Sequence, residues 1–207
     1  MVGRWDIITI GNISRNLFWD ESDDQAHRPA LCTCTLLTLT DGMRLLVDPS
    51  LPEADAMRGE LDRRAGLRLA DIEAVFLTHE HGDHHFGLKY FPDARWLAAP
   101  PVADALNASG QYGDKTVERA EGRLFGDIDI LPTPGHTLSH HSLRFDCDEL
   151  SVVIAADAAM TRDFWRARRG YFNSVNQGLA ARTIDGLAAL ADVVVPGHDN
   201  YFLNRRT

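Results

Sequence analysis

Three histidines and an aspartate, His79, His81, Asp83 and His84, crowd together straight after the apolar run Ala74–Leu77. On an extended backbone residues two apart point the same way, so His79 and His81 reach one ion together. Gly82 lets the chain turn, and Asp83 and His84 then aim at a second position. Imidazole and carboxylate donors in this mixture suit divalent metal ions, zinc first, with iron and manganese as alternatives. Three later apolar runs also stop at a metal-competent residue: one ends in Pro132-Thr133-Pro134-Gly135-His136, one in Ala155-Ala156-Asp157 and one in Pro196-Gly197-His198. Ligands at strand ends suit a rigid site, because a sheet fixes the Cα positions and the loops need only turn. Together these residues suffice for two ions if one carboxylate bridges.

The elements that must position these groups follow from periodicity and turn residues. Strands are expected over 5–10, 31–40, 43–48, 74–77, 95–98, 126–131, 142–146, 151–156 and 192–195. Asp41-Gly42 has hairpin residue types and Asp48-Pro49 stops pairing. Helices are expected over 53–65, with Gly66 as its cap, over 100–108, with proline in its first turn, and over 175–191, with a further short helix from His84. Residues 14–30 read as a long polar loop, either a lid or a mobile segment, and 109–122 as a polar connection. Strands in runs with helices between them, and no internal repeat, point to one α/β domain spanning residues 1–207.

Composition is that of a soluble globular protein: 44% hydrophobic and 25% charged residues over a chain of 207. A net charge of −9 disfavours nucleic acid as a partner, and no apolar run reaches membrane-helix length. The start of the chain lacks a signal-peptide core, so a cytoplasmic location is expected. Cys32, Cys34 and Cys147 read as buried structural thiols, the first two on one face of an alternating strand.

The ordered set Leu46-Val47-Asp48-Pro49, H-x-H-x-D-H, Pro-Gly-His-Thr, an isolated aspartate and a late Gly-His resembles the metallo-β-lactamase superfamily over essentially the whole chain. That resemblance implies an αββα sandwich of two mixed sheets flanked by helices. Carried over by position, it implies that His79, His81 and His136 hold the first metal. It gives Asp83, His84 and His198 to the second, with Asp157 bridging and Asp48 behind the metals orienting a histidine. The implied chemistry is hydrolysis by a metal-bridging hydroxide, with Asp83 also passing a proton to the leaving group.

Finer likeness divides. The turn from Thr133 to His140 is similar to that of glyoxalase II and acyl-homoserine lactonases, and the stretch after Asp157 to that of the lactonases. These imply a small carbonyl ester, lactone or thioester as substrate. Lactonases carry a tyrosine three residues after the bridging aspartate, where this chain has Met160; Tyr171 and Tyr201 are the candidates to replace it. The end of the chain resembles the branch of animal metallo-β-lactamase-domain-containing protein 1, which keeps a phosphodiesterase or nuclease-like activity as the alternative. A non-hydrolytic iron-binding redox protein or a metal-bearing scaffold is a third reading. Residues 161–172 reverse the sign of an acidic chain. Arg162, Arg166 and Arg168, with Tyr171, are therefore expected to form part of the cleft wall and to bind an anionic small-molecule substrate, and His27 to reach the cleft from the early loop. A homodimer is compatible with all of this. Glu80 is expected to point away from the ions, and His85, His140 and His141 to support the ligands or lie at the surface, with the last two as candidate substrate contacts.

Overall fold

Runs such as Ala74–Leu77 and Val193–Val195 are apolar at every position, which a strand tolerates only when both its faces are covered. The computed structural model, which describes residues 1–204, shows how both faces are covered here. One sheet carries β1 (Val2–Thr9), β2 (Cys34–Leu39), β3 (Arg44–Val47), β4 (Ala74–Leu77), β5 (Arg95–Ala98) and β6 (Glu118–Arg119), in that spatial order. The other carries β7 (Arg123–Leu124), β8 (Ile128–Pro132), β9 (His141–Cys147), β10 (Leu150–Ala156), β11 (Val193–Pro196) and β12 (Phe202–Leu203), again in sequence order. Both sheets are mixed: β3, β4, β5 and β6 pair in parallel, as do β10 and β11, and the remaining pairs are antiparallel.

Alternation along each strand sorts the side chains into layers. Leu37, Leu45 and Phe76 of the first sheet meet Leu143, Phe145, Val152 and Val195 of the second in the central core. The opposite faces of the same strands, Leu36, Leu46, Val75 and Leu77, pack on α1 (Ala54–Ala65) and α2 (Pro100–Ala108). Val153, Ala155 and Val194 pack on Ile184 and Leu187 of α4 (Gln177–Leu190) and on Trp165 of α3 (Arg162–Ala167). The result is the expected αββα sandwich. Gly66 closes α1 at φ 66°, a left-handed cap that releases no steric strain in glycine.

Several boundaries differ from the sequence expectation, each for a local reason. β1 begins at Val2 because it pairs antiparallel along β2. Cys32 lies ahead of β2, and β8 runs on to Pro132, which sits opposite His141. In place of a short α-helix from His84 there are two 3-10 turns, Gly82–His84 ending at that residue and Leu88–Tyr90 following it. The two-residue strands β6, β7 and β12 are too short to show a period, and α3 is too short to distinguish from a loop in sequence. Residues 14–30 form a loop with one 3-10 turn, Leu17–Trp19, closed at its base by an Asn12–Leu31 bridge and tied internally by an Arg28–Glu21 ion pair. Among the described residues no helix is long and apolar enough to cross a membrane.

Phe76 is fully buried between the sheets, one turn of chain before the metal-competent loop. Phe76→Ala is expected to cost about 3–5 kcal/mol, with an unchanged urea m-value. Leu138→Ala, at a side chain 69% exposed, is expected to stay within about 0.5 kcal/mol. Urea unfolding followed by circular dichroism checks both.

Candidate metal centre

Five strands that end at one edge of the sandwich deliver polar groups there. β3 gives way to Asp48, β4 to His79 and His81, β8 to His136, β10 to Asp157 and β11 to His198. The bond from His141 N–H to the Thr78 carbonyl, 3.0 Å, ties the two sheets together at this edge.

Two groups of donor atoms result, sharing one carboxylate. In the first, His81 Nδ1 lies 3.1 Å from His79 Nε2 and 2.9 Å from His136 Nε2. Asp157 Oδ2 completes it at 3.1 Å from His136 Nε2 and 3.8 Å from His79 Nε2. In the second, Asp157 Oδ1 lies 3.1 Å from His84 Nε2 and 3.2 Å from His198 Nε2, with Asp83 Oδ2 3.6 Å from His198 Nε2. Donors bound tetrahedrally at about 2.0–2.1 Å stand about 3.3–3.4 Å apart, so both groups have the dimensions of a zinc-type shell.

Hydrogen-bond direction supports the same reading. Asp48 is buried and accepts three bonds: from Thr78 N–H at 2.9 Å, from the Thr78 hydroxyl at 2.7 Å and from His84 Nδ1–H at 2.8 Å. The Thr78 oxygen then accepts from His79 Nδ1–H at 3.2 Å. His198 Nδ1–H is held by the carbonyls of Leu31, 2.9 Å, and Asn12, 3.0 Å, the two residues that close the early loop. His79, His84 and His198 therefore all engage Nδ1 from behind and turn Nε2 toward the site, the orientation a metal ligand needs. His81 Nδ1 has at most one proton to offer to the two imidazole nitrogens beside it. His84 Nε2 and Asp157 Oδ1 are buried and make no aligned hydrogen bond. Buried lone pairs facing one another at these distances are costly without a shared cation.

Burial, reinforced by neighbouring imidazoles, holds His79 well below the usual imidazole range and brings His136 down to about 4. Burial opposes the charge on Asp157 as well, but His198, His84 and His136 around it keep its carboxyl well below the usual range. These effects leave His79, His136 and Asp157 in the deprotonated forms that bind metal, whereas the acid groups around His84 and His198, Asp157 among them, raise those two imidazoles against their burial, so that a cation there would displace a proton.

Space around the bridge is tight. A Cβ on Gly197 would meet Asp157 Oδ1 at 2.0 Å, and Thr33 N–H closes on the Gly197 carbonyl at 2.6 Å. Gly135, at φ 143°, packs so closely on α4 that a Cβ would meet Ala180 at 2.5 Å.

The donors open into a cleft of about 560 Å³ whose walls are largely apolar: Ile13, Pro29, Phe86, Met160, Tyr171 and Phe172. Ser14 and Asn173 are its neutral polar side chains, and Asp83 stands in its lining. Tyr171 contributes its ring only. Its hydroxyl donates to the Arg15 carbonyl at 2.9 Å and bonds Arg15 N–H and the Ser14 hydroxyl, which fastens the early loop. Tyr201 stacks on Trp5 and lines a different hollow. The position three residues after Asp157 is thus filled by the buried Met160, with no tyrosine hydroxyl in its stead.

The arginines lie elsewhere. α3 buries Phe164 toward Ile13, Met160 and Tyr171 and Trp165 toward the outer face of the second sheet. Arg162 and Arg166, one helical turn apart, share the side away from the cleft, where they line a separate concavity with Arg168. His27 is exposed on the early loop and is not part of the cleft lining. Glu80 turns away and accepts from the Ser139 hydroxyl at 2.6 Å. His140 is fully buried behind His79, out of reach of a substrate, and His85 is held by Tyr112 and the Glu80 carbonyl. The three thiols are buried and unpaired, and burial pushes Cys32 up to about 12. Sequence reasoning passed over Thr78, Gly197 and the Asn12–Leu31 bridge. Only Gly197, inside Pro-Gly-His, carried a visible signal.

The chain matches the metallo-beta-lactamase superfamily over residues 27–198. It is 32% identical over 145 residues to a hydroxyacylglutathione hydrolase of Rhodopseudomonas palustris, covering 65% of this chain and 54% of that protein. It is 29% identical over 175 residues to metallo-beta-lactamase domain-containing protein 1 of Xenopus laevis, covering 78% and 69%. The chain thus spans about half the length of the R. palustris relative. Among solved structures it is similar to an N-acyl homoserine lactone hydrolase with N-hexanoyl-L-homoserine at its catalytic metal center. That likeness has a TM-score of 0.75 at 19% identity, covering 96% of this chain and 94% of that one. A B. thuringiensis AiiA variant with bound N-decanoyl-L-homoserine gives 0.73 at 19% identity, covering 96% and 94%. At these identities the structural likeness speaks for the fold.

Two substitutions test the donor geometry through metal content by elemental analysis. Asp157→Ala, which removes the shared carboxylate, is expected to lose both ions or hold them at least about tenfold more weakly. Wild-type content near one ion, unchanged in the variant, would refute a shared site. Gly197→Ala is expected to lower metal content as well while circular dichroism stays native, because its methyl group meets the Asp157 carboxylate and the backbone at the end of β10, at Ala156 and Asp157, and no side chain of the core.

Proposed function

The chain belongs to the metallo-beta-lactamase superfamily, and from that premise we propose that it is a hydrolase of small carbonyl esters, lactones or thioesters working with two divalent cations. The observation that supports this best is the division of the Asp157 carboxylate, one oxygen toward the His79–His81–His136 nitrogens and the other toward His84 and His198. Two divalent ions held there would lower the pKa of a shared water and polarise a carbonyl oxygen. Zinc suits the donor set, and iron or manganese is compatible with it.

The chain's own residues have distinct tasks in this reading. Asp48 and Thr78 fix the rings of His84 and His79, and the loop base at Asn12 and Leu31 fixes that of His198. Asp83, a carboxylate in the cleft wall, is placed to pass a proton to the leaving group. With Met160 apolar and the Tyr171 hydroxyl committed to the early loop, Ser14 and Asn173 are the side chains left to orient a carbonyl or amide group. The apolar walls exclude water from the acyl portion. Among the described residues no lysine or arginine lines this cleft, so the anionic substrate expected from residues 161–172 has no cationic side chain of that segment to meet it. The same fact ranks a phosphodiester below a carbonyl substrate.

The R. palustris relative's name refers to a glutathione thioester, and the solved neighbour's to a lactone. Both bonds expose a carbonyl to the same attack, and the reading covers both.

The zinc-loaded protein is expected to hydrolyse p-nitrophenyl butyrate and a neutral lactone, and Asp83→Asn to lower kcat by about a hundredfold or more. A stopped assay on esters, lactones, thioesters and bis-p-nitrophenyl phosphate decides the matter. Turnover of the phosphodiester alone would overturn the carbonyl assignment.

A further inference from the structure

The segment that the cleft leaves unused builds a site of its own. Arg162, Arg166 and Arg168 line a concavity of about 590 Å³ on the outer side of the second sheet, floored by Trp165 and Phe202 and closed by Asn204. The aromatic rings are almost fully buried and carry guanidinium groups on top: Arg162 stands 5.2 Å over Phe202, and Arg168 5.5 Å over Trp165. Stacking holds these cations in place without neutralising them.

Their pairing is incomplete. Arg168 meets Asp185 at 2.8 Å, but among the described residues neither Arg162 nor Arg166 has a carboxylate partner. Arg162 Nε is buried without an acceptor, and its Nη2 reaches only the Tyr201 carbonyl, at 3.5 Å. Elsewhere on the described surface many arginines are matched, Arg95 with Glu118, Arg119 with Asp104 and Arg123 with Asp129, although Arg15, Arg169 and Arg182 form no ion pair among the described residues either. In a chain of net charge −9 this is a local reversal of sign. Asn204 is fixed from behind by its bonds to the carbonyls of Ala188 and Ala191, 2.9 and 2.8 Å, so the wall it forms is rigid.

We propose that this concavity binds a phosphate-bearing anion, at a site separate from the metal cleft. A carboxylate satisfies one guanidinium fork; a phosphate group offers enough oxygens to engage several at once. The face toward the ligand is polar, since the rings are covered by the arginines they support. The ligand is therefore gripped by its phosphate, and a free phosphate compound and a phosphate of a nucleic-acid backbone share the required chemistry.

The test follows the indole N–H resonance of Trp165 in the zinc-loaded protein, assigned by its loss in Trp165→Phe. Pyrophosphate and a single-stranded oligothymidylate are titrated separately at fixed ionic strength, with sodium chloride as the control. A saturable shift with pyrophosphate alone assigns the site to free phosphate compounds. A shift with the oligonucleotide, with or without pyrophosphate, assigns it to the polymer. In either case the paired substitution Arg162→Ala with Arg166→Ala should weaken binding roughly tenfold while ester hydrolysis is unchanged. Replacement of both by lysine should recover part of the affinity. No shift with either probe, a shift matched by chloride, or equal binding in the alanine variant would overturn the proposal. Phosphate inhibition at the metals is read separately, from the esterase rate, and does not move the Trp165 signal.

Discussion

A carboxylate 5% exposed at the meeting edge of two sheets is the constraint on which the rest of this structure turns. Asp157 leaves β10 immediately after Ala156, which takes an unusual positive φ of 44°, and places its two oxygens among ring nitrogens from both sheets. Burying one charge there costs several kcal/mol unless opposite charge is supplied. The molecule meets that demand with imidazoles fixed from behind, and among the described residues no lysine or arginine pairs with this carboxylate. Asp48 holds one imidazole directly and another through Thr78, and the carbonyls at the loop base hold a third. The apolar sandwich matters to this arrangement because it prevents relaxation. Ring nitrogens stay near 3 Å apart only while the strands that carry them cannot slide.

Much of this arrangement was legible in the sequence because strand ends and metal-competent residues coincide. An apolar run marks a covered strand, its stop marks the sheet edge, and a histidine or aspartate at the stop has few other reasons to be there. Positions 48, 79–84, 136, 157 and 198 were visible on that principle, as was the helix capped by Gly66. Hydrogen-bond partners were not legible in the same way. Thr78 looks like any strand-terminal threonine, and nothing in Asn12 or Leu31 announces that their carbonyls will face His198, because backbone acceptors leave no trace in residue type.

Residues 161–172 show the complementary lesson. Their composition correctly indicated a local excess of positive charge near Asp157 in sequence. Direction was the missing term. With six residues, α3 must bury Phe164 on one side and Trp165 on another, and that choice rotates its arginines away from the metals. The aromatic residues that follow the helix, Tyr171 and Phe172, return to the cleft instead. One short segment therefore divides between two surfaces, and no count of its charges could have distributed them.

All the ligands stand at one edge, and this leaves the other edge without chemical duty. The hairpin turns at Asp41-Gly42, Phe125-Gly126 and Asp148-Glu149 all fall at the ends of strands that then run toward the metals, so they lie at the far rim. The N-terminal amine joins them there, paired with Asp127 at 2.9 Å. Exposed turns of this kind accept inserted sequence with little loss of stability. The fold thus has a working end and a permissive end. An affinity tag, a fluorophore or a tethering linker placed at the permissive end is separated from the cleft by the full length of the strands, and an immobilised protein would present its cleft outward.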